Sequence, residues 1–122
     1  MSNSVETASF SNPKEKRPFD HGELAIVTAG DLTIGRATFH PGWQWSKHIK
    51  PIAGTQWCMM THKLVAIQGQ MEVSIPDSGE QFTIKSGDVA AIAPGHDAKV
   101  VGDQDFVAFD LSDEALSYAK PQ

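Results

Sequence analysis

Residues 41–69 read PGWQWSKHIKPIAGTQWCMMTHKLVAIQG, and the remainder of the chain is organised around this stretch. It holds two of the five histidines and the only cysteine. Gly42 is followed by five residues and then His48, and His62 by six residues and then Gly69. Downstream, Gly87-Asp88 opens a short apolar run that ends in Pro94-Gly95-His96. Glycine and proline punctuate apolar runs of strand length, a pattern of short strands that reverse at tight turns.

Working outward, Leu24 and Ile26, then Leu32 and Ile34, alternate with polar or small residues on either side of Ala29-Gly30-Asp31. This predicts two strands joined at a turn, the second running to Phe39 before Pro41-Gly42 stops it. Residues 43–50 are predicted as a strand whose period-two alternation places His48 and Lys50 on one face, and 51–55 as a loop. Residues 59–68 and 71–75 are predicted strands around Gly69. Asp77-Ser78-Gly79-Glu80 signals a hairpin, and strands are predicted over 81–84, 89–93, 97–101 and 105–111. Many short strands at spacings near ten residues describe a β-sandwich or barrel. Residues 1–18, polar and containing two prolines, are expected to form a flexible N-terminal arm, leaving 19–122 as one domain. At the other end, 112–120 suggests a short helix capped by Ser112, with acids in its first turn and Lys120 near its end.

A chain of 122 residues holds one domain and one packed core. The net charge of −5, with ten scattered basic residues, argues against nucleic acid or an anionic membrane as the main partner. A lone Cys58 excludes an intramolecular disulfide. No apolar run follows the basic residues near the start, and no window approaches a membrane span. A cytoplasmic location is the expectation.

His48, His62 and His96 fall on three different predicted strands or strand ends. A barrel interior collects one side chain from each of several strands, and imidazole is the commonest ligand of zinc, iron, copper and nickel. Three histidines leave coordination positions open, the condition for metal chemistry. The plainer alternative for each is a hydrogen-bonded core or surface imidazole. Lys50, Cys58, Trp45 and Asp97 are the further candidates for the cavity or its surroundings. For Cys58 the choice lies between a buried structural thiol and a thiolate ligand, because its even separation from His62 shares a face on a strand. Asp97 could orient His96, and Lys50 could snorkel to the mouth.

These features resemble the cupin superfamily. Its first motif runs glycine, five residues, H-x-H, a few residues, glutamate, six residues, glycine. Gly42, His48 and Gly69 match it, with Lys50 at the second histidine and His62 at the glutamate position. Its second motif, glycine followed by P-x-G-x-x-H, is echoed in shortened form by Gly87, Pro94 and His96. The chain is also similar to small bacterial cupins with PGW-x-WS-x-H and PGHDA patterns. The resemblance spans about residues 36–110 and implies a jelly-roll β-barrel. It further implies a divalent ion (Fe, Mn, Ni or Zn) held by His48, His62 and His96, and a homodimer. The expected function is binding or transforming a small molecule in the barrel by dioxygenase, isomerase or hydrolase chemistry. The alternative is a non-catalytic binding or sensing module. An all-histidine site with Lys50 at its mouth would favour an anionic ligand.

Overall fold

The computed structural model describes residues 4–113 and 118. Nine strands follow in order: β1 (Glu15–Phe19), β2 (Gly22–Ala29), β3 (Leu32–Phe39), β4 (His62–Gln68), β5 (Gln70–Ile75), β6 (Glu80–Lys85), β7 (Val89–Ile92), β8 (Asp97–Val101) and β9 (Phe106–Asp110). Every pairing is antiparallel. One sheet of six strands has the order β1-β2-β3-β9-β4-β7, and a sheet of three has β6-β5-β8. The chain crosses between the sheets after β4, after β6, after β7 and after β8, the connectivity of a jelly roll. The sheets do not close into one continuous ring.

The alternation of side chains selects the core. Phe106 and Ala108 of β9, Met71 and Val73 of β5, and Ala98 and Val100 of β8 point inward, while their neighbours are less buried. Together with Leu24, Ile26, Leu64 and Ile84 they make one cluster fed by both sheets. Each Phe, Met, Val, Leu or Ile side chain among them contributes about 1.5–3 kcal/mol on burial. At the β4–β5 turn, Gly69 has φ of 78°, and a Cβ there would stand 2.2 Å from the Asp105 carbonyl oxygen. Only glycine allows that approach of the turn to the loop before β9.

Two segments differ from the sequence expectation. Residues 43–50 do not form a strand: α1 (Trp45–His48) and α2 (Lys50–Ala53) are two short helices, and Gly54 ends the second at φ of 75°. Trp45 and Ile49, four apart, are both buried, so a helical stripe anchors this segment where a strand would have split its apolar residues differently. Near the N-terminus, Glu15–Phe19 pairs along its length with β2, so the last four residues of the expected arm are strand. Before it, Phe10 stacks on Phe109 at 5.6 Å and Arg36 lies 4.8 Å over the Phe10 ring. This segment covers part of the large sheet's outer face. The helix expected over 112–120 falls largely outside the described residues.

Candidate metal centre

His62 opens β4 with its side chain turned into the interior, and it is buried. In the ladder between β4 and β9, Leu64 faces Asp110. His62 and Asp110 are therefore diagonal neighbours on the same face, within reach of side chains this long. His62 Nδ1 lies 2.7 Å from Asp110 Oδ2. The other carboxylate oxygen accepts from the Ser112 N–H at 2.9 Å and from its hydroxyl at 2.5 Å.

Cys58 and His96 are joined by an isolated β-bridge between the connection after α2 and the start of β8. Cys58 N–H donates to the His96 carbonyl at 2.9 Å, and Gly95 N–H donates to the Cys58 carbonyl at 2.8 Å. The Pro94-Gly95 turn folds His96 back so that its Nδ1–H donates to the Ala93 carbonyl at 2.8 Å. A carbonyl can only accept, so His96 carries its proton on Nδ1 and presents a lone pair at Nε2. Cys58 Sγ is 3.7 Å from His62 Nε2, and the His62 and His96 rings meet edge-on at 5.4 Å. One donor atom each from Cys58, His62 and His96 lies within 4.8 Å of the others, and all three residues are buried.

The electrostatics follow from this packing. Burial alone would push the Cys58 thiol up, but hydrogen bonds and charge from His62 and His96 outweigh it and bring it down to about 6. For His62, burial works against the charged form. The hydrogen bonds to Asp110 and Cys58 prevail, and its pKa rises to about 9. Asp110, which burial would raise, is held below the usual carboxylate range by His62 and Ser112. Tyr118 packs edge-on against His62 at 5.7 Å, and burial with the nearby Cys58 and Asp110 charges pushes its hydroxyl well above 10. Asp110, His62 and Cys58 thus form a hydrogen-bonded row in which each member favours the charged form of its neighbour.

The three donors help line a cavity of about 40 Å³ walled mainly by apolar side chains, among them Leu24, Phe39, Trp43, Trp45 and Met71. Trp43 is 2 % exposed, and its indole Nε1–H has no hydrogen-bond partner among the described residues.

His62 and His96 come together with Cys58; His48 does not join them. His48 ends α1, stacks on His21 with centroids 4.1 Å apart, and has Asp20 Oδ2 4.0 Å from its Nε2. Its Nδ1 accepts from the Gln44 N–H at 3.0 Å. That hydrogen bond puts the ring proton on Nε2 and removes the lone pair a metal would need there. The helix at 45–48 is the physical reason: it carries His48 toward the β1–β2 turn instead of into the interior. Lys50 is not a cavity residue, since its Nζ lies 5.2 Å over the Trp57 ring. Trp45 lines the cavity. Asp97 does not hold His96. Its carboxylate accepts from the Ser46 N–H at 3.0 Å, the Ser46 hydroxyl at 2.8 Å and the Ala98 N–H at 2.9 Å, tying α1 to β8. Asp110 and Tyr118 were not singled out from the sequence. The alternation Phe106, Ala108, Asp110 carried the signal for the first, because it puts a carboxylate on an otherwise apolar inward face.

No protein-family model matches the chain, and no curated protein matches it. Solved structures do. A cupin-like protein from Thermotoga maritima is 16% identical at a TM-score of 0.53, over 75% of this chain and 68% of that one. A polyketide cyclase from Streptomyces resistomycificus is 13% identical at a TM-score of 0.59, over 85% of this chain and 75% of that one. Oxalate decarboxylase from Bacillus subtilis is 22% identical at a TM-score of 0.54, over 80% of this chain and 26% of its own. Likeness at these identities concerns the backbone, and the backbone of this chain is the antiparallel jelly roll of the cupins.

Proposed function

We propose that Cys58 Sγ, His62 Nε2 and His96 Nε2 hold a divalent metal ion, and that the cavity beside it receives a small organic molecule. One observation carries this reading. The outer nitrogen of each histidine is occupied, in His62 by Asp110 at 2.7 Å and in His96 by the Ala93 carbonyl at 2.8 Å. Metal-bound histidines characteristically donate their second N–H to a carboxylate or a backbone carbonyl, which fixes the ring and raises the basicity of the ligating nitrogen. The donor chemistry fits. A thiolate with two imidazoles suits zinc or iron better than manganese, which prefers oxygen, and three protein ligands leave a position for substrate or water.

A divalent ion in such a site supplies Lewis acidity or a bound water whose pKa falls toward about 7. The chain's own residues do the rest. Asp110 stabilises the positive side of His62, the Ala93 carbonyl fixes the tautomer of His96, and the apolar walls keep bulk water from the donors. Catalysis on a small molecule is the activity this arrangement supports.

The test is metal content of the protein purified in metal-supplemented medium and dialysed. Close to one equivalent is expected, lost in Cys58→Ser and in His96→Ala. Metal bound equally well by those variants, or by none of the proteins, overturns the reading.

A second reading rests on the 3.7 Å contact of Cys58 with His62 and the lowered thiol pKa. In it Cys58 is a nucleophile, His62 its base and Asp110 the group that orients the base. Rapid alkylation of Cys58 by iodoacetamide in a protein that binds no metal is its signature. Protection of the thiol by added zinc supports the metal centre.

A further inference from the structure

The cavity beside the three donors has a definite size, polarity and charge, and together these select a class of ligand. Its volume of about 40 Å³ has room for roughly three or four non-hydrogen atoms, since a water takes about 10–15 Å³ on the same measure. Its walls offer Leu24, Phe39 and Met71, which solvate no charge. Among the described residues, the one buried side-chain N or O atom without a hydrogen-bond partner is Trp43 Nε1, on a residue that lines the cavity. Indole N–H only donates, and a buried donor left unpaired is costly. Asp110 already accepts from His62 and Ser112, and the Ala93 carbonyl from His96. The unpaired group is a donor, so the ligand that completes it offers an acceptor, and one without a donor of its own leaves nothing further to pair.

Charge narrows it further. Among the described residues, no lysine or arginine lines the cavity. Lys50, expected at the mouth, lies instead over Trp57. An anion would enter a cavity of mainly apolar walls at a desolvation cost that no lysine or arginine offsets.

We infer that the cavity binds a small uncharged carbonyl compound, an aldehyde or ketone of about four non-hydrogen atoms, whose oxygen accepts from Trp43 Nε1–H. The carbonyl oxygen accepts without donating, and its uncharged alkyl groups match the walls. This rests on the cavity being the ligand site proposed above, but the Trp43 contact is independent of the metal.

The probe is a set of near-isosteres: acetone, acetate, and 2-methylpropene, which has the ketone's shape without its oxygen. Indole N–H resonances of the full-length protein are followed by ¹H–¹⁵N correlation, with and without added zinc. Trp43→Phe assigns the resonance. Acetone should shift the Trp43 signal downfield and saturably, 2-methylpropene should not, and acetate should bind at least about tenfold more weakly than acetone. In Trp43→Phe, acetone affinity measured through the shift of the Met71 methyl group should fall about tenfold. Should that variant fail to fold, the three-ligand comparison on the unaltered protein still decides. Acetate binding as well as acetone, or a Trp43 signal that acetone leaves in place, overturns the inference. A response to acetone that persists in a protein unable to bind zinc removes the metal reading and leaves this one standing.

Discussion

Two histidine clusters lie in this molecule, and they show why residue type alone does not make a metal site. Inside, Cys58, His62 and His96 offer donors within 4.8 Å of one another; at the surface Asp20, His21 and His48 do the same. The difference lies in what holds the other ring nitrogens. Inside, Asp110 and the Ala93 carbonyl accept from Nδ1, so that Nε2, once deprotonated, can donate an electron pair. Outside, the Gln44 N–H occupies His48 Nδ1, so the remaining nitrogen carries the proton. Burial sharpens the contrast. The inner donors are screened from water, whereas Asp20 and His21 are exposed and compete with it. The group that pairs with one ring nitrogen decides whether the other can ligate.

The largest expected effect breaks the contrast from the inside. His62→Ala should cost more than about a hundredfold in zinc affinity, beyond the 10–100-fold typical of losing an outer-shell partner. His48→Ala should leave the affinity within about twofold, as a half-buried residue outside the site requires. Competitive chelator titration checks both, and an equal loss in the two variants would merge the clusters into one site.

Next in size is the group behind the ligand. Asp110→Asn keeps all three donors but weakens the partner that orients His62, and should lower zinc affinity about 10–100-fold. A visible-absorption titration with cobalt should still show the thiolate charge-transfer band, because Cys58 is retained. Loss of that band would mean that Asp110 shapes the fold rather than the ligand.

Smallest is the surface cluster's own contribution. His21 holds φ of 64°, a conformation that costs a non-glycine residue about 1–2 kcal/mol, and it stacks on His48. His21→Gly relieves the strain and loses the stack, so stability should stay within about 1 kcal/mol of the parent. Urea unfolding midpoints measure it. A loss several times larger would give the outer cluster a structural role.

Much of the fold was legible because strand side chains alternate. The glycine turns and the apolar residues at every second position delimit β2 to β9 within a few residues. His62 and His96 stood out through the glycine and proline that bracket them. The segment 43–50 was misread because Trp43 and Trp45 fit a strand while Trp45 and Ile49 fit a helix, and a run this short carries both periods. That choice fixed the fate of His48 and Lys50. Cys58 had two readings, and spacing cannot choose between a packed thiol and a ligand. Asp110 was hidden in the regular pattern of β9.

The sequence by itself determined the antiparallel strands, the positions of their turns and the presence of inward histidines, because these follow from local periodicity and from backbone freedom at glycine. Only the tertiary structure decided which histidines meet. That depends on contacts between residues far apart in the chain: the bridge of Cys58 to His96, and the diagonal of His62 and Asp110 across β4 and β9. It depends too on the hydrogen bond that claims each second nitrogen. Local pattern sets which way a side chain points from its strand. The register between strands sets what it finds there.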